Sequence, residues 1–154
     1  MAIEIERKFL VKKNSWTRPN EGTLYIQGYL SSSPETTVRI RIAVKIGFIT
    51  IKGKTTGFSR EEFEYEIPVE DAEILLKKCK NAPIKKIRYK VLLNGTLWEI
   101  DEFLEENSGL LMAEVELPDE KASFFRPEWL GKEVTDDKRY HNSHIAQHPF
   151  KTWE

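Results

Sequence analysis

Charged residues of one sign recur as doublets, with a single apolar residue between the two charges. Acidic doublets lie in EIERKF, EEFEYE and AEVEL, and basic doublets lie in VRIRI and KKIRYK. Residues two apart share one face of a β-strand, so each doublet predicts a strand with one charged face. The acidic members of this face are Glu4, Glu6, Glu62, Glu64, Asp101, Glu114 and Glu116. The basic members are Lys8, Arg39, Arg41, Lys52, Lys86 and Arg88.

This face is either the solvated side of a sheet or the wall of a site. A solvated face usually mixes charged residues with Ser, Thr and Gln, and gives no reason to sort the sign of charge by strand. Like charges two residues apart lie roughly 7 Å from each other and repel. If the sheet closes into a barrel, the face points inward, where charges need water, ion pairs or a charged ligand. We therefore interpret the charged face as the wall of a site.

The two signs of charge predict a composite ligand. Arginine offers forked donors that match phosphate oxygens, and lysine offers a compact positive charge. Clustered carboxylates bind Mg²⁺ or Mn²⁺, hard ions that prefer oxygen ligands. A face that carries both the basic and the acidic residues predicts that the ligand is a metal-bound chain of phosphates in a small-molecule substrate. Phosphoryl transfer at such a site needs mainly positioning and neutralisation of charge.

The elements that position these residues are mostly short alternating runs separated by turn signals. Asn94-Gly95 between two such runs predicts a hairpin. The predicted strands are 2–11, 23–30, 37–44, 47–53, 60–68, 84–93, 96–104 and 110–117. Helices are predicted over 69–80, 118–125 and 141–148, and the last is expected to be a surface helix carrying His141, His144 and His148. This order indicates an α+β fold with a curved sheet or a closed antiparallel barrel.

Composition limits the function classes. The 154 residues are of a size for one domain, 1–154, and the net charge of −1 gives no overall attraction to nucleic acid or an anionic membrane. Glu4 and Glu6 interrupt any apolar leader, and no apolar run reaches membrane-spanning length, so a cytoplasmic location is expected. Cys79 is the single cysteine, which excludes an internal disulfide.

The ordered series of doublets resembles the CYTH superfamily, the triphosphate tunnel metalloenzymes. The resemblance begins with Glu4-x-Glu6-x-Lys8, continues through QGYL (27–30) and the doublets above, and ends with VTDDKRYHN (134–142). It extends over essentially the whole chain and is strongest to the compact bacterial inorganic triphosphatases. It implies an eight-stranded antiparallel β-barrel with a few flanking helices, a tunnel that binds a triphosphate, and activity that depends on Mg²⁺ or Mn²⁺.

The resemblance also implies roles by position. Glu4, Glu6, Glu114 and Glu116 would hold the metal, with Glu62, Glu64 and Asp101 as further ligands or as partners of metal-bound water. Lys8, Arg39, Arg41, Lys52, Lys86 and Arg88 would bind phosphates, and Lys138 and Arg139 would close over the substrate. Glu4, Glu6, Lys8, Glu62 and Glu64 are expected to take part in catalysis.

The leading hypothesis is hydrolysis of inorganic tripolyphosphate by metal-activated water. The short chain offers no segment to recognise a nucleoside or thiamine. A class IV adenylyl cyclase, a nucleoside or thiamine triphosphatase, and a non-catalytic polyphosphate- or nucleotide-binding module remain alternatives. Family likeness is compatible with a homodimer, and no nucleic-acid or membrane partner is expected.

Overall fold

The computed structural model describes residues 2–153, in which nine strands form one antiparallel sheet. The strands are β1 (Ala2–Val11), β2 (Thr23–Ser32), β3 (Thr36–Ala43), β4 (Ile46–Gly53), β5 (Ser59–Ile67), β6 (Ile84–Leu93), β7 (Thr96–Phe103), β8 (Leu111–Glu116) and β9 (Leu130–Glu133). Two α-helices accompany them within these residues, α1 (Val69–Lys77) and α2 (Asn142–Gln147).

Eight of the strands close into a barrel, because β1 pairs with both ends of the strand order. The order around the barrel is β1–β5–β4–β3–β2–β6–β7–β8, and β8 pairs again with β1. β5 pairs with β1 from Ala2 to Ile5, and β9 pairs with β1 near Phe9 and Val11. The predicted eight-stranded antiparallel barrel is therefore confirmed, with β9 as an additional strand beside it.

The largest hydrophobic core lies outside the barrel wall. Trp98 of β7 is fully buried there, and its ring meets those of Phe9, Phe124 and Trp129 edge to face at centroid distances of 5.5–5.9 Å. Phe124 and Trp129 belong to the segment that follows β8, which covers this part of the wall. Because the apolar face of the strands is buried outside, their charged face is left to line the interior.

Helix α1 covers another part of the outer wall, against β2, β3 and β4. The contact is close: a Cβ atom on Gly47 would lie 2.8 Å from the Cβ of Ala72, which is fully buried. Glycine at position 47 therefore permits the helix to approach the sheet, since any side chain there would clash with the helix.

Helix α2 covers one end of the barrel interior. Ile84, Phe103 and Met112 are buried at this end of β6, β7 and β8, and they pack with Ile145 and Ala146 of α2. The inward face thus changes from apolar at the covered end to charged beyond it.

The helix predicted over 118–125 is wrong. The segment forms a turn in which the Asp119 carboxylate accepts a hydrogen bond from the Lys121 amide, and it then runs without regular structure. Ala122 and Phe124 pack on the outer core, and this tertiary contact prevails over the local helix-start signal. The other two predicted helices are confirmed with shorter bounds. No helix within residues 2–153 is long and apolar enough to cross a membrane.

Trp98→Ala tests the position of the core. Removal of this buried ring should lower the free energy of unfolding by about 3–5 kcal/mol. The matched control is Leu97→Ala on the opposite face of the same strand, where Leu97 is 51% exposed and the expected loss is below about 0.5 kcal/mol. Urea denaturation measures both, and equal losses would contradict the assignment of faces.

Candidate functional site

The charged face lines a cavity of about 520 Å³ inside the barrel. The structure brings almost all of the predicted site residues to its wall: Glu4, Glu6, Lys8, Arg39, Arg41, Lys52, Glu62, Glu64, Lys86, Arg88, Glu114, Glu116 and Lys138. Asp101 is buried beside Lys86 and Arg88 without lining the cavity itself, and Arg139 lies away from the cavity.

The acidic half of the cavity is built by three adjacent strands, because β1 lies between β5 and β8. The register places Glu6 opposite Glu116 and Lys8 opposite Glu114. Near the other end of β1, Lys52 Nζ lies 2.9 Å from the Glu4 carboxylate and 3.5 Å from that of Glu62. Glu64 and Glu116 are the most exposed of the predicted acidic residues.

The carboxylates of the acidic half differ in how well nearby lysines and arginines compensate their charge, and their pKa values differ accordingly. Burial would raise the pKa of Glu4, but Lys52 offsets this effect and leaves the pKa below its ordinary value. Burial would raise the pKa of Glu114, but the charges of Lys8 and Arg88 outweigh it and hold this pKa at about 2. Burial and the charges of Glu114 and Glu4 raise the pKa of Glu6 to about 8. Glu6 therefore marks the point of excess negative charge.

The basic half is built mainly by β3 and β6. The guanidinium groups of Arg41 and Arg88 lie 4.7 and 5.0 Å from the ring centre of Tyr25, which holds both by cation–π contact. Arg39 Nη2 donates to Thr50 Oγ1 at 3.1 Å and to Glu64 Oε2 at 3.4 Å. Burial and the charges of Arg39 and Arg88 lower the pKa of Arg41 to about 9. This half therefore carries an excess of positive charge.

Asp101 forms ion pairs with two of these cations, Lys86 and Arg88. Its carboxylate accepts from Arg88 Nε at 2.8 Å and from Arg88 Nη2 at 2.9 Å, and Lys86 Nζ lies 2.7 Å away. Burial opposes ionisation, but Arg88 and Lys86 hold the pKa of Asp101 far below its usual range. A carboxylate engaged in this way positions phosphate-binding groups, and this placement gives no support to its expected role as a metal ligand.

The segment after β9 adds residues that the alternating pattern did not reveal. It runs beside β1 where β5 has ended: Val134 N donates to Lys8 O, and Lys8 N donates to Thr135 Oγ1 at 3.0 Å. The added wall residues are Thr135, Asp136, His141, Asn142 and Ser143. Arg60, which the pattern places on the charged face of β5, also lines the cavity. An irregular segment has no period-two pattern, so the alternation of residues could not predict which of its side chains line the cavity.

His141 does not lie on a surface helix, so that prediction is wrong for this residue. Its half-buried ring lines the cavity, with Nε2 3.4 Å from the Thr135 carbonyl oxygen. Burial and the charge of Lys8 lower the pKa of His141 to about 4. The imidazole is therefore neutral at neutral pH.

Lys138 and Arg139 are neighbours with different surroundings. Lys138 lines the cavity. Arg139 is exposed, pairs with Asp137 at 2.7 Å and lies against the rings of Tyr140 and Trp153. The structure does not bring Arg139 together with the other phosphate-binding candidates.

The donor set suits a hard cation. No group of three His, Cys, Asp or Glu side chains within residues 2–153 is arranged closely enough to hold a metal ion as it stands. The carboxylates of β1, β5 and β8 nevertheless face one cavity, and burial together with repulsion from Glu114 and Glu4 raises the pKa of Glu6. A divalent cation would relieve that repulsion through oxygen ligands of the kind that Mg²⁺ and Mn²⁺ prefer.

Glu6→Gln tests the excess negative charge through stability. In the metal-free protein the folded state keeps a proton on Glu6 up to about pH 8, whereas the unfolded chain loses it near the ordinary value of 4.5. Ionisation of Glu6 thus destabilises the fold as pH rises through this window. The Tm of Glu6→Gln should equal that of the wild type near pH 4.5 and should exceed it by at least roughly 3 °C at pH 8. In a domain of this size, roughly 3 °C corresponds to a free-energy difference of about 1 kcal/mol.

Thermal scans in a chelator measure this difference. Glu61→Gln is the matched control, since Glu61 is exposed on β5. Its effect on Tm should not vary with pH. A Glu6→Gln advantage of the same size at pH 4.5 and pH 8 would contradict the charge assignment.

Comparison with known proteins identifies the family. The model of the CYTH domain matches residues 2–146. An inorganic triphosphatase of Acetivibrio thermocellus is 48% identical over 155 residues, which cover 100% of this chain and 99% of that protein. An inorganic triphosphatase of Nitrosomonas europaea is 39% identical over 151 residues, which cover 93% of this chain and 96% of that protein.

A solved structure agrees with this assignment. The crystal structure of an inorganic triphosphatase superposes with a TM-score of 0.66 at 36% identity, covering 95% of each chain. The resemblance inferred from the charged doublets is therefore confirmed, and the chain belongs to the CYTH domain family.

Proposed function

We propose that this protein is an inorganic triphosphatase that hydrolyses tripolyphosphate inside the barrel with Mg²⁺ or Mn²⁺ as cofactor. The observation that carries the proposal is one cavity with a carboxylate-rich half and a guanidinium-rich half facing each other. The two related bacterial proteins named inorganic triphosphatases match the chain over nearly its full length, which supports the same activity here.

The basic half is suited to bind the phosphates. Arg39, Arg41 and Arg88 supply forked donors, and burial among like charges makes an incoming anion favourable, as the lowered pKa of Arg41 indicates. Lys8 of β1 lies among the carboxylates of the acidic half, and Lys52 of β4 lies beside Glu4 where the two halves meet. They are placed to contact phosphate oxygens next to the acidic half.

The acidic half is suited to hold the cofactor that membership of the family implies. Glu4, Glu6, Glu114 and Glu116 of β1 and β8 would be its ligands, with Glu62 and Glu64 of the adjacent strand β5 beside them. The chemistry that a divalent cation would supply there is a lowered pKa of a bound water molecule and a partial neutralisation of the phosphate oxygens. The preference of these oxygen ligands for hard ions favours Mg²⁺ or Mn²⁺.

The residues of the chain would contribute mainly by position. Asp101 fixes the guanidinium of Arg88 through two hydrogen bonds, so that donors face the substrate without reorganisation. Helix α2 covers one end of the interior, which favours entry and departure of ligands at the other end. Such a site needs no covalent intermediate, since a positioned water attacks the terminal phosphorus and the shortened phosphate chain leaves.

Product analysis tests the proposal against the alternatives. The protein is incubated with tripolyphosphate, ATP or thiamine triphosphate, with Mg²⁺ or Mn²⁺, and orthophosphate, pyrophosphate and cyclic AMP are measured. We expect tripolyphosphate to give orthophosphate and pyrophosphate with the highest kcat/KM, and a chelator to abolish turnover. Absence of tripolyphosphate turnover would contradict the proposal, and cyclic AMP as the main product from ATP would favour a cyclase.

Variants connect that activity to the cavity. Arg39→Ala and Glu4→Gln should each lower kcat/KM for tripolyphosphate by about 100-fold or more, since each removes a charge that faces the reacting phosphates. Lys85→Ala is the matched control, because Lys85 neighbours Lys86 on β6 but pairs with Glu105 away from the cavity. Full activity of either test variant at saturating metal would contradict the assignment of the inward face.

A further inference from the structure

Asn142, the first residue of α2, joins that helix to the basic half of the cavity. Its side-chain oxygen accepts a hydrogen bond from Gln27 Nε2 at 3.0 Å and another from Lys86 Nζ at 3.1 Å. Asn142 is 9% exposed, Gln27 is fully buried and Lys86 is 1% exposed. A buried acceptor with two donors is costly to remove, because both donors would lose a partner away from water.

Gln27 transmits this connection to a phosphate-binding arginine. Its Oε1 accepts from Arg41 Nε at 2.9 Å and from Arg41 Nη2 at 2.8 Å. The amide therefore uses its nitrogen toward Asn142 and its oxygen toward Arg41. If Asn142 no longer accepted the hydrogen bond from Gln27 Nε2, the Gln27 amide could turn over. Its nitrogen, rather than its oxygen, could then face the Arg41 guanidinium.

Arg41 needs this restraint because its neighbours repel it. Arg39 and Arg88 both disfavour its charge. Unlike Arg88, whose guanidinium is fixed by Asp101, Arg41 forms its side-chain hydrogen bonds to the neutral Gln27. Lys86 is held in a comparable way, between Asp101 at 2.7 Å and Asn142. The positions of a half-buried cation, Arg41, and a buried one, Lys86, thus depend on one amide oxygen from α2.

We propose that Asn142 is a positioning residue for the phosphate-binding cations, orienting Arg41 through Gln27 and Lys86 directly. The start of α2 is then part of the substrate-binding apparatus as well as a cover for the barrel. The role rests on the proposed function in that tripolyphosphate is the ligand these cations bind. Neither the charged doublets nor the helix itself indicated it, because the contacts join residues 115 positions apart.

Steady-state kinetics of Asn142→Leu test this role. Leucine keeps the side-chain size and removes the acceptor, so KM for tripolyphosphate should rise about tenfold, and kcat should change less than about threefold. The matched control is Gln147→Ala on the same helix, which removes an exposed hydrogen bond to Ser32 and should leave both constants unchanged. An unchanged KM in Asn142→Leu, or a fall in kcat alone, would overturn the proposal.

A double variant separates positioning from a general loss of structure. In a Gln27→Leu background, Asn142→Leu should add less than about threefold to KM, since the path to Arg41 is already broken and only the contact with Lys86 is lost. A second full tenfold rise would show that Asn142 acts independently of Gln27 and would overturn the proposal. If Asn142→Leu does not fold, Gln27→Met breaks the same path, and an unchanged KM in that variant would overturn it equally.

Calorimetric binding of tripolyphosphate distinguishes this inference from the proposed function. Wild-type protein that binds but does not hydrolyse tripolyphosphate would contradict the triphosphatase proposal alone. The Kd of Asn142→Leu would then replace KM, with the same rise of about tenfold expected. Normal wild-type turnover with an unchanged Kd in the variant would contradict only the role of Asn142.

Discussion

The cost of burying charge inside a closed barrel is the constraint on which this structure depends. A carboxylate or guanidinium removed from water requires a partner, and at the covered end Asp101 satisfies this requirement with Lys86 and Arg88. Elsewhere the compensation is incomplete. The pKa of Glu6 is raised and that of Arg41 is lowered, so one half of the cavity has too much negative charge and the other too much positive charge. The proposed ligand, a metal-bound polyanion, would offset both excesses at once.

The rest of the fold makes this interior possible. The apolar faces of the strands pack outward, against α1 on one part of the wall and against the segment carrying Phe124 and Trp129 on another. The hydrophobic stabilisation of the domain therefore comes from outside the barrel, and the inner face is not required for a core except where α2 covers one end. This division of the two faces allows a small domain to keep so many charged side chains inside.

The alternating pattern was sufficient to predict the eight barrel strands and their inward face, because period two is a local property of the backbone, whereas the short strand β9 was not predicted. It placed Glu4, Arg39 and Glu114 on the cavity wall together with most of the other candidates. The predicted Asn94-Gly95 hairpin already makes β6 and β7 neighbours, but the pattern could not show that Lys86 and Arg88 would both engage Asp101, since that depends on side-chain conformation. His141 and Asn142 were not predicted as wall residues because they reach the cavity at the start of α2, after an irregular segment whose path has no period-two signal. The helix predicted over 118–125 failed because Phe124 contributes to the outer core, a tertiary contact with no local signal.

We propose above all that one cavity holds a cation on its acidic half and phosphates on its basic half. A crystal structure of the protein with Mn²⁺ and a slowly hydrolysed tripolyphosphate analogue tests it most directly, through the anomalous signal of the metal. We predict a manganese peak bonded to glutamates of β1 and β8, with phosphate oxygens in contact with Arg39, Arg41 and Arg88. Metal or analogue bound only outside the barrel, with no contact to the charged side chains of the interior, would contradict this prediction.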